Sequence, residues 1–174
     1  RSVSSAASDV YKRQVIDMSV ETMSKLYELK NIVGVKDATG DLKRVDSQLK
    51  SMGKEFIQLT GNDDNALEFN KRGGVGAIGV TANIAAKLSS DFQKACKKDM
   101  DEAVKLDKIL QPLHSSLFIE SNPSPVKYAA SLLKMCSPSV RLPLVEIRDE
   151  TKKKVSDALK SCLLYTSPSP RDRE

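Results

Sequence analysis

A lysine closes a short apolar run in residues 31–42, NIVGVKDATGDL. The run is β-branched and apolar on both faces, which is typical of a buried parallel strand, and alternation places Gly34 and Lys36 on one face. Burial would favour the neutral form of the Lys36 amine, and a neutral amine can attack a carbonyl carbon to form a Schiff base. A lysine that packs its stem at a strand end and extends its ammonium into water fits the same spacing. The pattern alone therefore leaves a catalytic and a solvated Lys36 both open.

Two glycine-containing segments follow at comparable positions. Residues 60–65, TGNDDN, lie at the end of the next predicted strand, where Gly61 would let a ligand approach the backbone closely and Asn62 or Asp63 could cap the following helix. A plain helix cap is the simpler interpretation of this segment. Residues 73–80, GGVGAIGV, are not a phosphate-binding loop, because their glycines precede the strand and no Gly-Lys-Ser/Thr follows.

The side chains that most often bind metals are few. His114 is the only histidine, and its place beside Leu113 in an apolar helix predicts a core or interface residue. Cys96, Cys136 and Cys162 are widely spaced and odd in number, which indicates free thiols in a reducing compartment rather than disulfides or a zinc site.

The elements that must position Lys36 alternate along the chain. Three predicted strands, NIVGV, EFIQLTG and VGAIGV, are separated by amphipathic helices at the spacing of parallel βαβ units. Ser19 and Asp41 are predicted to cap the first two helices, and Gly53 to end the second. After residue 83 only helices follow, and one of them is predicted to begin with Ser124 as its cap and Pro125 as its first residue.

Three βα units are too few for a closed domain. A (β/α)₈ barrel needs eight strands and roughly 250 residues, whereas this chain has 174. An α/β fold of this kind, with its catalytic residues at the carboxyl ends of the strands, is therefore expected to be part of something larger.

The composition argues against a membrane protein and against a nucleic-acid-binding protein. The chain is 40% apolar and 29% charged, and no stretch approaches the roughly 18 apolar residues of a membrane helix. The net charge of +5 has no basic stripe interleaved with aromatic residues, so nucleic acid is not an expected partner. The absence of an apolar signal region favours a cytoplasmic location.

Both ends of the chain differ from the rest. Residues 1–14 and 161–174 are rich in Ser and Arg without helical or strand periodicity, and we expect them to be non-native tails. The predicted organisation is a barrel portion over residues 15–82 and a helical domain over residues 83–160.

Five segments resemble, in order and spacing, the C-terminal half of the dihydrodipicolinate synthase family: NIVGVKDATGDL, LTGNDDNALEF, GGVGAIGVTANIAA, PLHSSLFIESNPSPVKYAASLL and VRLPLVEI. The resemblance runs from about residue 15 to about residue 160 without apparent gaps. It implies a partial (β/α)₈ barrel, namely the last three strands with their helices, followed by a C-terminal all-helical domain. It also implies assembly of the whole protein as a homotetramer.

The resemblance implies a reaction and site residues as well. Lys36 matches the family lysine that condenses with pyruvate to an imine, whose enamine then attacks aspartate 4-semialdehyde to give hydroxy-tetrahydrodipicolinate in lysine and diaminopimelate biosynthesis. Ile78 matches a residue whose backbone lies against pyruvate, and Gly61 matches a glycine that lines the pocket. Neither a metal nor a separate cofactor is implied, because the covalent imine forms on the lysine itself.

Some positions depart from the family pattern. Asn62 stands where Asp is usual, Gly79 where Ser is common and Ser121 where Pro is common. The paired threonines, relay tyrosines and Tyr-Asn-x-Pro-x-Arg arginine of the N-terminal half are missing, so we expect the fragment alone to be nearly inert. We also expect it to fold poorly, because the missing strands leave apolar sheet surface open to water.

Two other functions remain open. Another pyruvate-dependent class I aldolase, such as N-acetylneuraminate lyase, would use the same lysine on a different aldehyde, although VKDATGDL favours the synthase. A non-catalytic α/β interaction module would form no adduct with pyruvate.

Overall fold

The computed structural model describes residues 17–162. The chain forms two compact units that meet in sequence between Ala77 and Ile78. The predicted boundary lay five residues later, after residue 82. The short 3₁₀ helix Thr81–Asn83 explains the difference, because it packs on helices of the second unit.

The first unit alternates helices and strands as the sequence predicts. Its elements are α1 Val20–Tyr27, β1 Gly34–Asp37, α2 Lys43–Met52, β2 Ile57–Thr60, α3 Ala66–Lys71 and β3 Gly76–Ala77. The strands form one parallel sheet in the order β1-β2-β3. The third strand is only two residues long, much shorter than the predicted VGAIGV.

Local chemistry explains where the first helices begin and end. The Ser19 hydroxyl accepts a hydrogen bond from the Thr22 amide at 3.1 Å, which is the predicted N-cap of α1. The Asp41 carboxylate accepts from the Lys43 amide at 3.0 Å at the start of α2. Gly53 ends that helix with a φ of 81°, a conformation that suits glycine. The predictions for Ser19 and Gly53 are confirmed. The prediction for Asp41 is wrong by one residue, because Leu42 occupies the N-cap position of α2 and makes no side-chain cap hydrogen bond.

The two faces of the sheet have different surroundings. Side chains at Asp37, Gln58 and Thr60 are buried on the face that the helices cover. This covered face continues into a hydrophobic cluster of Met23, Met52 and Phe56. The opposite face, which we call the open face, carries Gly34, Lys36, Ile57 and Leu59. Ile57 is 43% exposed there, so the sheet is layered on one side only.

The second unit is helical. After the 3₁₀ helix it consists of α4 Ala86–Lys98, α5 Met100–Ser116, α6 Ser124–Leu132 and α7 Asp149–Ser161. Its core includes a stripe along and just beyond α5, formed by Ala103, Leu110, Leu113 and Leu117. The last helix ends one residue beyond the predicted limit of 160.

The predicted start of α6 is also wrong. Pro123, and not Ser124, occupies the N-cap position of α6, so Ser124 is the first helical residue and Pro125 the second. The cause is a turn in which the Ser124 amide donates to the Ser121 carbonyl at 3.1 Å. Residues 1–16 and 163–174, which contain most of both expected tails, lie outside the described part of the chain.

Candidate functional site

Lys36 lies where the sequence predicts it, near the carboxyl end of β1. It pairs in register with Leu59 of β2, and its side chain points to the open face. The side chain is exposed, as in the solvated alternative that the strand pattern left open. The reason is that three strands with helices on one face leave the other face unenclosed.

Gly61 lies directly against the Lys36 side chain. A Cβ atom at Gly61 would come within 2.8 Å of Lys36 Cε and within 2.8 Å of the Ala38 methyl group. Only a residue without a side chain leaves room for the lysine stem at this point. The Gly61 amide also donates to the Asp37 carbonyl at 2.6 Å, which joins the two strand ends. The structure thus brings together two of the three predicted site residues.

Gly34 lies on the same face of the sheet as Lys36, as alternation along the strand predicts. In the structure a Cβ at Gly34 would collide with the backbone and the Cβ of Ile57. The glycine therefore permits the close approach of β1 and β2 and leaves no empty volume.

Asp37 is the residue that the sequence analysis missed. It follows Lys36 but points to the covered face, where it is 8% exposed. Its Oδ1 accepts from the Thr39 amide at 2.8 Å and the Thr39 hydroxyl at 2.7 Å. Its Oδ2 accepts from Arg44 Nε at 2.8 Å and from Gln48 Nε2 at 3.2 Å. We call these four residues the Asp37 network.

The Asp37 network keeps the carboxylate charged. Burial by itself would raise the pKa of Asp37, but the hydrogen bonds from Thr39 and Arg44 and the positive charge of Arg44 outweigh it. The pKa of Asp37 therefore lies below its ordinary value. An Asp followed two residues later by Thr is a signal for such a turn, but the sequence does not reveal that Arg44 and Gln48 join it.

The segment after β2 is built differently from the prediction. Neither Asn62 nor Asp63 occupies the N-cap position of α3, which belongs to Asn65. The Thr60 hydroxyl accepts from the Asn62 amide at 3.0 Å and lies 3.1 Å from Asn65 Oδ1, so it organises a turn before the helix begins. The side chain of Asn62 lies beside Gly40, which brings the loops after β1 and β2 together.

The remaining predicted residues lie in the second unit. Ile78 is its first residue, and its side chain is 53% exposed. His114 is 4% exposed, and its Nδ1 shares a hydrogen bond of 2.7 Å with the Thr81 hydroxyl. The prediction of a core histidine is confirmed, and the hydrogen bond ties the 3₁₀ helix to α5.

Three further features of residues 17–162 bear on function: the cysteines, the possible metal ligands and the character of the helices. Cys162 is buried, Cys96 is half-buried and Cys136 is exposed, and none of the three forms a disulfide. Within residues 17–162, no three His, Cys, Asp or Glu side chains come together in a way that could hold a metal ion. Over the same part of the chain, none of the helices has the length and apolar character that crossing a bilayer requires.

The fold and the strand-end lysine together define an α/β protein with parallel βα units. The sequence profile described as the dihydrodipicolinate synthetase family matches residues 9–162. The chain therefore belongs to the dihydrodipicolinate synthetase family.

Similar proteins carry related names. A 4-hydroxy-tetrahydrodipicolinate synthase of Pelagibacter ubique is 69% identical over 156 residues, which cover 87% of this chain and 53% of that protein. The crystal structure of dihydrodipicolinate synthase from Aquifex aeolicus matches with a TM-score of 0.84 at 35% identity, covering 88% of this chain and 53% of that one. The chloride-inhibited enzyme from Acinetobacter baumannii, complexed with pyruvate, matches with a TM-score of 0.83 at 36% identity, covering 89% and 54%. The chain spans about half the length of the relatives that it matches.

Proposed function

We propose that this chain is the C-terminal half of a 4-hydroxy-tetrahydrodipicolinate synthase, which condenses pyruvate with aspartate 4-semialdehyde. The name of the Pelagibacter ubique relative and the half-length match support this proposal. The parallel sheet then corresponds to the last three strands of a (β/α)₈ barrel, and the second unit to a C-terminal helical domain. The open face of the sheet is the interior of that barrel.

The observation that carries the proposal is the placement of Lys36 against Gly61. A lysine at the carboxyl end of a parallel strand lies where barrel enzymes hold their reacting groups. Gly61 keeps the space around Lys36 Cε free of side-chain atoms. The ammonium group can therefore extend from the open face toward a small keto acid.

The chemistry follows from the amine. Neutral Lys36 attacks the keto carbon of pyruvate, and loss of water gives an imine. The protonated imine withdraws electrons from the neighbouring methyl group, which loses a proton and becomes an enamine. The enamine carbon attacks the aldehyde carbon of aspartate 4-semialdehyde, and cyclisation with release of Lys36 gives hydroxy-tetrahydrodipicolinate.

The other expected features are proposals of the same kind. Ile78 keeps the role that its match to the family pattern implies, a backbone contact with bound pyruvate. The lysine itself supplies the covalent chemistry, so we expect neither a metal nor a separate cofactor. For the whole protein we propose a homotetramer in the cytoplasm.

The isolated chain is expected to be nearly inert. Groups that hold the pyruvate carboxylate and relay protons belong to the other half of the family pattern. Positioning and acid–base catalysis together contribute many orders of magnitude of rate acceleration. A test of function therefore needs both halves.

The test uses a joined enzyme, in which residues 17–162 follow the N-terminal half of the Pelagibacter ubique relative. Incubation with pyruvate and cyanoborohydride should leave a reduced pyruvate adduct on the peptide that contains Lys36. Lys36→Arg should abolish the adduct, because an arginine is not deprotonated in proteins. The matched control Lys43→Arg, at an exposed lysine seven residues later, should leave it unchanged.

Two outcomes would contradict the proposal. Failure of the joined enzyme to form any adduct would favour a non-catalytic α/β module. Adduct formation followed by turnover with N-acetylneuraminate, but not with aspartate 4-semialdehyde, would identify a lyase of the same aldolase class.

A further inference from the structure

We infer that Asp37 and Arg44 form a positioning pair that fixes the direction of the Lys36 side chain from beneath the sheet. The inference rests on the proposed function, because it assigns Lys36 the reacting amine. Neither Asp37 nor Arg44 would touch the substrate. Both lie on the covered face, and they act on Lys36 through the backbone of β1.

The first step is the adjacency of Lys36 and Asp37 in one strand. Their side chains point to opposite faces, so the backbone that aims one also aims the other. Only 6% of the Asp37 side chain is exposed. Its four hydrogen bonds come from Thr39, Arg44 and Gln48. A carboxylate held by four donors cannot rotate without breaking several of them, so the strand end has one orientation.

Arg44 extends this restraint to a second helix. Its side chain is 15% exposed and bridges three groups. Besides Asp37, it donates from Nη1 to the Asp17 carboxylate at 2.6 Å and from Nη2 to the Met18 carbonyl at 2.8 Å. Asp17 and Met18 immediately precede the N-cap of α1. One guanidinium therefore ties the end of β1 to the start of α1 and to α2.

Gly61, which follows β2, also restrains the end of β1. Its amide holds the Asp37 carbonyl at 2.6 Å, and its Cα hydrogen faces Lys36 Cε. A shift of the Asp37 backbone would therefore move the Lys36 stem relative to Gly61. Misplacement of a reacting group by about 1 Å can cost roughly a hundredfold in rate.

A second ion pair on α2 serves as the comparison. Asp46 pairs with Arg72 at 2.6 Å, but their side chains are 53% and 42% exposed. Exposed pairs of this kind contribute little to stability. Asp46 lies on the same helix as Arg44 and has no contact with the Asp37 network among the described hydrogen bonds. Asp46→Asn is therefore a matched control for Asp37→Asn.

The experiment measures adduct formation in the joined enzyme over a range of pyruvate concentrations, corrected for the folded fraction. Asp37→Asn keeps the size of the side chain but loses its charge, and Arg44→Met removes the bridge. We expect each to lower the maximal rate by about tenfold to a hundredfold, while the pyruvate concentration at half-maximal rate changes by less than about threefold. The double variant should be no slower than the slower single variant, since both remove one unit. Asp46→Asn should leave the rate unchanged.

Each contrary result has a separate meaning. If the parent forms the adduct and Asp37→Asn loses stability but keeps the maximal rate per folded molecule, Asp37 is structural only and the inference is wrong. Should Asp37→Asn fail to fold, Arg44→Lys decides, because it keeps the charge but cannot bridge all three groups. An unchanged rate in Arg44→Lys overturns the inference. If the parent itself forms no adduct, the proposed function fails and the inference fails with it.

Discussion

The open and covered faces of the same three-stranded sheet have opposite character. The open face presents Lys36, whose side chain is exposed and lies against Gly61. The covered face presents Asp37, whose carboxylate is buried and held by four hydrogen bonds. The difference teaches how an exposed side chain on one face can be positioned by a buried and hydrogen-bonded neighbour on the other.

The largest expected effect concerns the open face as a whole. In the isolated chain, the open face leaves apolar side chains such as Ile57 exposed to water. We expect the isolated chain to melt without a sharp transition and to bind an apolar dye. The joined enzyme should melt cooperatively and bind little dye, because the added strands cover that face. A sharp melt of the isolated chain as a monomer would contradict this expectation.

The next effect concerns the covered face. Asp37→Ala removes the acceptor of Arg44 and Gln48 and leaves a largely buried guanidinium with fewer partners. We expect the free energy of unfolding of the joined enzyme to fall by about 3 kcal/mol, measured by urea denaturation. Asp46→Ala should change it by less than about 1 kcal/mol, since that pair is exposed. Equal losses of unfolding free energy in Asp37→Ala and Asp46→Ala would contradict the expectation that the buried pair contributes more than the exposed one.

A third prediction separates the open face from the end of α2 by their readouts. Gly61→Ala places a methyl group against both Lys36 Cε and the Ala38 methyl group, and it should lower the rate of adduct formation per folded molecule by about tenfold or more. Gly53→Ala, at a φ of 81° with no atoms near the new methyl group, should affect stability alone. We expect it to cost about 1–3 kcal/mol of stability and to leave the rate unchanged. The contrast fails if Gly61→Ala forms the adduct at the parental rate.

The smallest effect is the dependence on pH. Because the pKa of folded Asp37 lies below its unfolded value, its contribution to stability is complete above about pH 4 and is lost as pH falls through the folded pKa. The difference in unfolding free energy between parent and Asp37→Asn should therefore be constant near neutral pH and shrink in acid. Urea midpoints measured at several pH values test this. A difference in unfolding free energy that stays constant down to the lowest pH would contradict a lowered pKa of Asp37 in the folded state.

The sequence predicts the parts of this structure that depend on local patterns. The order of strands and helices, the Ser19 cap and the burial of His114 follow from periodicity and capping chemistry, and all three are confirmed. The predicted caps of α2, α3 and α6 are displaced by one to three residues. Turns at Thr60 and Ser121 decide where α3 and α6 begin. Element ends depend on such turns more than on propensity.

The candidate site was only half predictable. Lys36 and Gly61 could be found because strand ends and glycines are visible in the sequence. The role of Asp37 could not, because two of its donors come from α2, at Arg44 and Gln48. The strand pattern left a buried and a solvated Lys36 both open, since the exposure of the lysine depends on how many strands surround it and not on the strand itself.

The adjacency of Lys36 and Asp37 has an evolutionary consequence. Deleting or inserting one residue in β1 would exchange the two directions, sending an ammonium to the covered face and a carboxylate to the open face. The insertion or loss of a single codon would therefore misplace both side chains. We therefore expect length changes in this family to be tolerated in the connecting loops, whereas the distance from Gly34 to Asp37 stays fixed.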